Sequence, residues 1–453
     1  MNGASERMAR PLSQRSTRPG SATVLAQLAT YESRNVTFME SDGSWPIVWE
    51  RARGTAVWDR DGRRYLDLTA AFGVAASGHA NPAVVRAGQR QMGRLLHAMG
   101  DVHPHALKAE LARELSRITF ERWSDALRVS GKVVLGSSGF EAVEAALKTA
   151  MLATGKPRVL AFAGAYHGLG YGALNVTHRA HFRSPFRRQL RDFADFVPFP
   201  TQPDALAGIL RQVERRLKAG RIGAILTEPV QARGGIHVPP PGFLAGLRRL
   251  CDRHGALLIL DEIYTGFGRT GRWFACEREG VIPDLICLGK ALTGGFPLSA
   301  CVGRRPLMDA AWPASTGEAI HTSTFLGHPV GCAMALAQIR EIERRGLVDR
   351  SAQLGTWLAA ELAAFPTQVG NLKIDVRAIG LMAGIELNNG DGKPATSAAL
   401  GIIKRLLHRG YILLPEGADA NVISLTPPLT ISRADLRRTV AALAAALAEE
   451  GYP

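Results

Sequence analysis

The runs ALLILDE (256–262) and DLICLGKALTGGFPLSACVG (284–303) decide how this chain is read. Each carries a block of consecutive apolar residues that breaks at a charged or glycine-rich turn. Short apolar blocks without polar alternation mark strands covered on both faces, as in a parallel sheet flanked by helices. Working outward, VVLG (133–136), RVLAF (158–162) and GAILTE (223–228) repeat the pattern, and LSACVG (298–303) closes it. Helical patterns at 139–153, 203–218 and 241–254 fall between the blocks. The alternation predicts an α/β fold with a doubly wound, mostly parallel sheet.

The two ends read differently. WDRDGRRYLDL (58–68) places a D-G turn between strand-like runs and predicts a hairpin. Leu107, Leu111, Leu115 and Ile118 share one helical face. Ser432 and Asp435 can cap a last helix whose inner face carries Leu436, Val440, Leu443 and Leu447. Residues 335–453 read as helix, strands, helix, strand, helix. The expected organisation is a mobile leader (1–22), an N-terminal segment (23–75) joining the small domain, a large domain (76–334), and a smaller α+β C-terminal domain (335–453).

Composition narrows the class. With 453 residues, 46% of them hydrophobic, the chain can bury a large core and a second, smaller one. No apolar run reaches the eighteen residues of a membrane span, and the basic leader lacks a signal-peptide core. The net charge of +15 raises the question of nucleic acid. Yet only nine of the 55 basic residues are lysine, and the arginines are scattered along the chain with no recognisable binding module. No nucleic-acid partner is expected. Five cysteines, odd in number, widely spaced and without C-x-x-C, argue for reduced thiols and a cytoplasmic protein.

That preference for arginine makes Lys290 stand out. It follows the apolar run DLICLG, and only lysine has an amine that can shed its proton on burial and attack a carbonyl. Asp261 closes ALLILD, at the strand end where open α/β sheets hold ligands, and a carboxylate there can keep a pyridine nitrogen protonated. Ser138, Gly139 and Phe140 sit where a strand meets the helix FEAVEAALKTA. Its opening offers free N–H groups to a phosphate. Tyr166 follows RVLAF and can stack on a flat heterocycle.

Three motifs are decoys. Gly266-Phe-Gly268-Arg-Thr-Gly271 matches G-x-G-x-x-G, with Asp284 beyond it, but the strand before it ends in Asp-Glu and no small-residue helix follows. Gly289-Lys290 lacks the upstream glycine of a phosphate-binding loop. His103-Pro-His105 lacks further ligands, so no metal site is expected.

The motifs together resemble the class III (ornithine/GABA type) aminotransferases, from about residue 45 to 450. The segments that carry the resemblance include GHANP (78–82), SSGFEAVEAALK, FAGAYHG, TEPVQARGG, LDEIYTGFGRTG, LGKALTGGFPLSA, STFLGHPVGCA (323–333) and LTPPLTI. The resemblance implies a fold type I homodimer that binds pyridoxal 5'-phosphate at the subunit interface and works by a ping-pong transamination between an amine or amino acid and an oxo acid. It makes Lys290 the Schiff-base lysine and Asp261 the partner of the pyridinium. It makes Tyr166 and Ile263 the walls of the ring site, and Ser138, Gly139 and Phe140 the phosphate cup. It adds Glu228 and Tyr264 to the cofactor contacts, Thr324 as a residue reaching the phosphate of the partner subunit, and Phe72 to Val74 as a substrate-facing stretch. An amino-acid racemase, epimerase or aminomutase of the same fold is the alternative.

Four positions depart from the family pattern. Leu169 and Ser424 stand where many relatives carry substrate-binding arginines. Arg233 stands where they carry a neutralising glutamate, and Tyr264 replaces a glutamine. The exchange predicts that Arg233 holds the substrate carboxylate from the opposite wall.

Overall fold

The computed structural model describes residues 20–40, 42–123 and 129–451, so the leader residues 1–19 lie outside the described part. Ser21 and Ala22, assigned to the leader above, open a helix that runs from Ser21 to Tyr31.

Sixteen strands are described, in chain order: β1 (Trp49–Arg53), β2 (Ala56–Asp59), β3 (Arg64–Asp67), β4 (Gly131–Gly136), β5 (Arg158–Phe162), β6 (Ala194–Val197), β7 (Ile222–Thr227), β8 (Leu257–Asp261), β9 (Leu285–Leu288), β10 (Ser299–Arg304), β11 (Gln368–Val369), β12 (Leu372–Ala378), β13 (Ala383–Asn389), β14 (Tyr411–Ile412), β15 (Leu414–Glu416) and β16 (Val422–Leu425). The central sheet has the order β4-β10-β9-β8-β7-β5-β6. All its pairings are parallel except those of β10, which runs antiparallel to both β4 and β9. The fold is the expected α/β architecture with a mostly parallel sheet. β6 was not foreseen: its four residues, ADFV, are too few to stand out by pattern alone.

The apolar blocks are explained by burial on both faces. Successive strand residues point to opposite sides. On one side Val159, Ala161, Leu226, Ile259 and Cys287 pack under helix Gly139–Thr154, through Ala142, Val143 and Ala146. On the other, Leu160, Ile225, Leu258, Leu260 and Ile286 meet Val213, Phe243 and Leu247 of helices Pro203–Lys218 and Phe243–His254. Gly155 and Gly255 end two of these helices in the left-handed conformation, with φ of 64° and 58°, which glycine adopts without steric cost.

The antiparallel C-terminal sheet has the order β11-β12-β13-β16-β15. The D-G hairpin forms as β2–β3, and β14 joins it in parallel, so the N-terminal sheet is completed by a strand from the C-terminal part. Helix Pro329–Arg344 spans the expected boundary at 334/335. Ile118 lies just past helix Ala106–Ser116, in the wide turn Arg117–Glu121. The C-terminal cap is present: Asp435 N–H donates to Ser432 Oγ at 3.0 Å, and the Ser432 hydroxyl donates to Asp435 Oδ2 at 2.6 Å. No described helix is long and apolar enough to cross a membrane.

Candidate active site

A cavity of about 530 Å³ opens beyond the C-terminal ends of β5, β7 and β8. Phe72, Gly139, Phe140, Tyr166, Leu169, Glu228, Arg233, Asp261, Ile263, Tyr264 and Lys290 all line it, together with His167, Gly168 and Ala232. Tyr166, Glu228, Asp261 and Lys290 converge because parallel strands point their C-terminal ends the same way, and Phe72 arrives from the N-terminal segment.

Asp261 is 4% exposed. Its Oδ2 lies 2.7 Å from His167 Nδ1, and its Oδ1 accepts from the Ile263 N–H at 3.1 Å. These contacts use one bond per oxygen and leave each a second lone pair for a protonated ring nitrogen. His167 Nε2 is buried without a partner. Glu228, on the loop after β7, accepts from the N–H of Tyr166 and of Ala232, both at 3.1 Å, and so ties two cavity walls together. Burial and the nearby Asp261 raise its pKa to about 7, against the pull of His167.

Lys290 follows β9 with φ of +40°, a conformation that a non-glycine residue adopts only where its surroundings enforce it. Its Nζ lies 4.5 Å from the centroid of the Tyr264 ring. Removal from bulk water lowers its pKa, while Asp261, Glu228 and Glu416 pull the other way. A lysine held partly toward its neutral amine is what carbonyl attack requires.

The phosphate end also fits. Helix Gly139–Thr154 begins at the cavity, and its first N–H groups face outward. The Ser138 Oγ is shielded from solvent and has no hydrogen-bond partner. The adjacent Glu141 carboxylate, and not this hydroxyl, takes the Ser138 N–H, at 3.2 Å. A Cβ on Gly139 would lie 3.1 Å from Ile263 Cδ1, tighter than an ordinary contact, so glycine gives the helix start room against that wall. An orphaned hydroxyl, a helix N-terminus, a buried carboxylate and an amine of lowered pKa are a donor set matched to a phosphorylated pyridine aldehyde.

Some sequence candidates sit elsewhere. Val74 and Thr324 do not line the cavity, and Thr324 is exposed. Ser424 turns its hydroxyl to the Leu414 carbonyl at 3.0 Å. The Tyr264 hydroxyl shares a 3.1 Å hydrogen bond with Thr426. Asp284, the decoy acid, pairs with Arg248 at 2.7 Å and also with Arg304. His105 Nε2 contacts the Gly327 carbonyl at 2.7 Å.

Sequence reasoning missed His167, Arg179 and Glu416. His167 adjoins Tyr166 in FAGAYHG, so its motif was in view. Nothing local marks Glu416, whose nearest cation is 183 residues away in sequence: Arg233 Nη1 lies 3.6 Å from Glu416 Oε2.

The aminotransferase class-III family model matches residues 37–447. The chain is 38% identical over 414 residues to the 5-aminovalerate aminotransferase DavT of Pseudomonas aeruginosa, covering 88% of this chain and 93% of that protein. It is 36% identical over 405 residues to the 4-aminobutyrate aminotransferase GabT of Escherichia coli, covering 87% and 91%. Among solved structures, an amine transaminase from an uncultivated Pseudomonas species in its PLP-bound form superposes with a TM-score of 0.83 at 30% identity, covering 92% of this chain and 98% of that one. The ornithine aminotransferase of Toxoplasma gondii gives 0.81 at 26%, covering 95% and 96%. None of these relatives is a racemase or aminomutase, and that alternative is not favoured. With the match running from residue 37 to 447 and a cavity suited to pyridoxal 5'-phosphate, the chain belongs to the class III aminotransferases, pyridoxal-phosphate enzymes of fold type I.

Proposed function

We propose that this aminotransferase acts on amines that carry a carboxylate, and that Arg233 holds that carboxylate. The observation that carries this reading is the place of Arg233 in the cavity wall. Its guanidinium stands 5.6 Å from the centroid of the Tyr166 ring, and its ion-pair partner there, Glu416, is at 3.6 Å, beyond hydrogen-bond length. A guanidinium so loosely engaged keeps donors for a planar carboxylate. Leu169 and Ser424 supply no charge, so Arg233 is the cation lining the cavity besides Lys290.

Bound pyridoxal phosphate supplies an aldehyde that takes up the amino group and a protonated ring that withdraws electrons from the substrate carbon. The residues do the rest. Asp261, oriented by His167, holds the proton on the ring nitrogen. Lys290 Nζ takes the proton from the substrate carbon and delivers it on the far side of the transfer, as base and then acid. Ser138, Gly139 and Phe140 anchor the phosphate. Tyr166 and Ile263 exclude water from the ring faces, Phe72 bounds the substrate channel, and Tyr264 covers the Lys290 side chain.

The working enzyme is a homodimer in which Thr324 reaches the phosphate of the partner subunit. In support, Met92, Leu95, Leu96, Met99 and Val102 form an exposed apolar run, and Phe325, beside Thr324, is 57% exposed. A cytoplasmic location accords with five free, buried thiols. The N-terminal segment 23–75 joins the small domain 335–453, beside the large domain 76–334, and the pairing of β14 with β3 supports that division.

The test is Arg233→Ala. One charged hydrogen bond contributes about 1.5–3 kcal/mol, so kcat/KM for carboxylate-bearing donors should fall roughly 10- to 150-fold. Amines without a carboxylate should lose little. Equal values for the variant and the parent enzyme on every carboxylate-bearing donor would sink the reading.

A further inference from the structure

Asp67 ends β3, is fully buried and stands behind the active-site cavity without lining it. All four acceptor positions of its carboxylate are used. Oδ1 accepts from the Thr69 N–H at 2.8 Å and from the Thr69 hydroxyl at 2.6 Å. Oδ2 accepts from the Ala71 N–H at 3.1 Å and from His79 Nε2 at 2.7 Å. His79, in the segment GHANP, is itself fixed. Its backbone exchanges two hydrogen bonds with Gly54, and the Trp49 ring meets its imidazole edge-on, 5.7 Å between centroids.

What this carboxylate holds is a strained turn. Ala70, Ala71, Phe72 and Gly73 all lie in the left-handed region, with φ of 48°, 49°, 60° and 81°. Three of the four carry a Cβ, which in that conformation crowds the following carbonyl; single residues adopt it, runs do not. Such a run persists only where its surroundings enforce it. The Ala71 N–H reaches Thr69 Oγ1 at 3.1 Å as well as Asp67, and the Gly73 N–H donates to the Thr69 carbonyl at 2.8 Å.

The turn carries Phe72, whose side chain lines the active-site cavity. The same ring borders a second, apolar cavity of about 310 Å³, lined also by Trp45, Ile47, Trp49, Ile412 and Leu414. Phe72 is 49% exposed. A ring with open space on two sides is not held by packing, so the backbone sets its place. At the far end of the turn, a Cβ on Gly73 would stand 3.3 Å from the Tyr264 ring. The Thr69 carbonyl accepts from Thr426 Oγ1 at 3.2 Å, which leaves that hydroxyl to accept from Tyr264.

We propose that Asp67, with His79 as its donor, is a positioning residue for substrate binding: it holds Ala70–Gly73 in the left-handed turn that keeps Phe72 at the active-site cavity and out of the apolar one. This rests on the reading of Phe72 as a boundary of the substrate channel. Asp67 touches neither substrate nor cofactor, so weakening it loosens the fit of the substrate and leaves proton transfer at Lys290 in place.

Two measurements test this. The first is a crystal structure of Asp67→Asn. The amide accepts through one oxygen only, so it can satisfy Thr69 or the Ala71–His79 pair and not both. Residues 71 and 72 are expected to leave the left-handed region, and the Phe72 ring to enter the apolar cavity. A turn unchanged from the wild type overturns the proposal. The second is a double-mutant cycle on holoenzyme. Its donor throughout is the primary amine of lowest wild-type KM, chosen from a panel with and without a carboxylate. Asp67→Asn should raise KM about tenfold, with kcat within about threefold and the resting cofactor absorbance unchanged. In a Phe72→Ala background the same substitution should move KM by less than about twofold, because the group it positions is gone. Adding Ala71→Gly to Asp67→Asn should recover about fivefold in KM, since glycine takes the left-handed conformation without the Cβ penalty. If Asp67→Asn does not fold, His79→Ala, which removes one of the four donors and keeps the carboxylate, runs the same cycle with a smaller KM change.

Equal KM shifts in the wild-type and Phe72→Ala backgrounds, or no recovery with Ala71→Gly, would make Asp67 a general support of the fold and overturn the positioning role alone. A Phe72→Ala variant with unchanged KM for every donor in the panel takes down the channel reading and the proposal together.

Discussion

Replacing Asp261 with Asn tests the centre of the mechanism with almost no change of shape. The carboxylate is 4% exposed, and both its oxygens already accept one bond, from His167 at 2.7 Å and from the Ile263 N–H at 3.1 Å. An asparagine can keep only one of those acceptors. Its NH2 must replace one of them, facing either His167 or the Ile263 N–H, and it carries no charge to hold a proton on the ring. The loss is then one charge-assisted hydrogen bond plus the electrostatic stabilisation of charge gathering on the ring in the transition state. Buried electrostatic contributions of that type amount to about 2–4 kcal/mol, or roughly 30- to 1000-fold in rate. Rapid-mixing absorbance of the half-reaction with saturating donor reads this directly, because it isolates the chemical step from product release. Reconstitution with a cofactor methylated on the ring nitrogen supplies the positive charge covalently. It should restore part of the rate in Asp261→Asn and none in a variant that is merely misfolded. A loss below about threefold, in a variant that binds the cofactor normally, would refute the assignment of Asp261.

Three further expectations concern stability, beside that already attached to Arg233. Glu262 is fully buried, accepts from the Ala275 and Cys276 N–H groups at 3.0 and 2.9 Å and from the Thr265 hydroxyl, and burial raises its pKa to about 7. A carboxyl whose folded pKa lies above its unfolded value stabilises most below the unfolded value of 4.5 and loses that contribution as pH rises through 7. The urea midpoint of the parent protein should therefore fall relative to that of Glu262→Gln between pH 5 and 8, by up to about 3 kcal/mol in free energy; parallel pH profiles would contradict the buried ionisation. Gly355→Ala would place a methyl 2.4 Å from the Gly380 backbone, which has no room to yield because Gly380 itself abuts Thr270. It should cost about 1–3 kcal/mol or more by chemical denaturation. Gly93→Ala, in helix Pro82–Arg94 with open space around the site, should be neutral or stabilising.

What the sequence determined by itself is local or repeated in kind. Apolar blocks such as RVLAF and ALLILD are strands because only a sheet covered on both faces buries every residue of such a run, and the structure places them side by side. Lys290, Asp261 and Tyr166 were legible because each follows an apolar strand, and strand ends in a parallel sheet share one edge. The D-G hairpin and the Ser432 cap were legible because their hydrogen bonds close within a few residues. Tertiary structure alone decided the rest. The antiparallel β10 looks like its parallel neighbours in sequence, since burial on both faces leaves the same apolar signature in either direction. The pairing of β14 with β3 joins segments some 345 residues apart through backbone groups that carry no side-chain signal. His167 acquires its role only because Asp261 arrives 2.7 Å from it, from another strand. The Arg233–Glu416 pair is the plainest case: Arg233 stood out in its segment only by comparison with the family pattern, and nothing in the sequence named Glu416 as its partner. The meaning of the pair comes from the tertiary packing that brings them to 3.6 Å and buries the Glu416 carboxylate while leaving Arg233 partly open to the cavity.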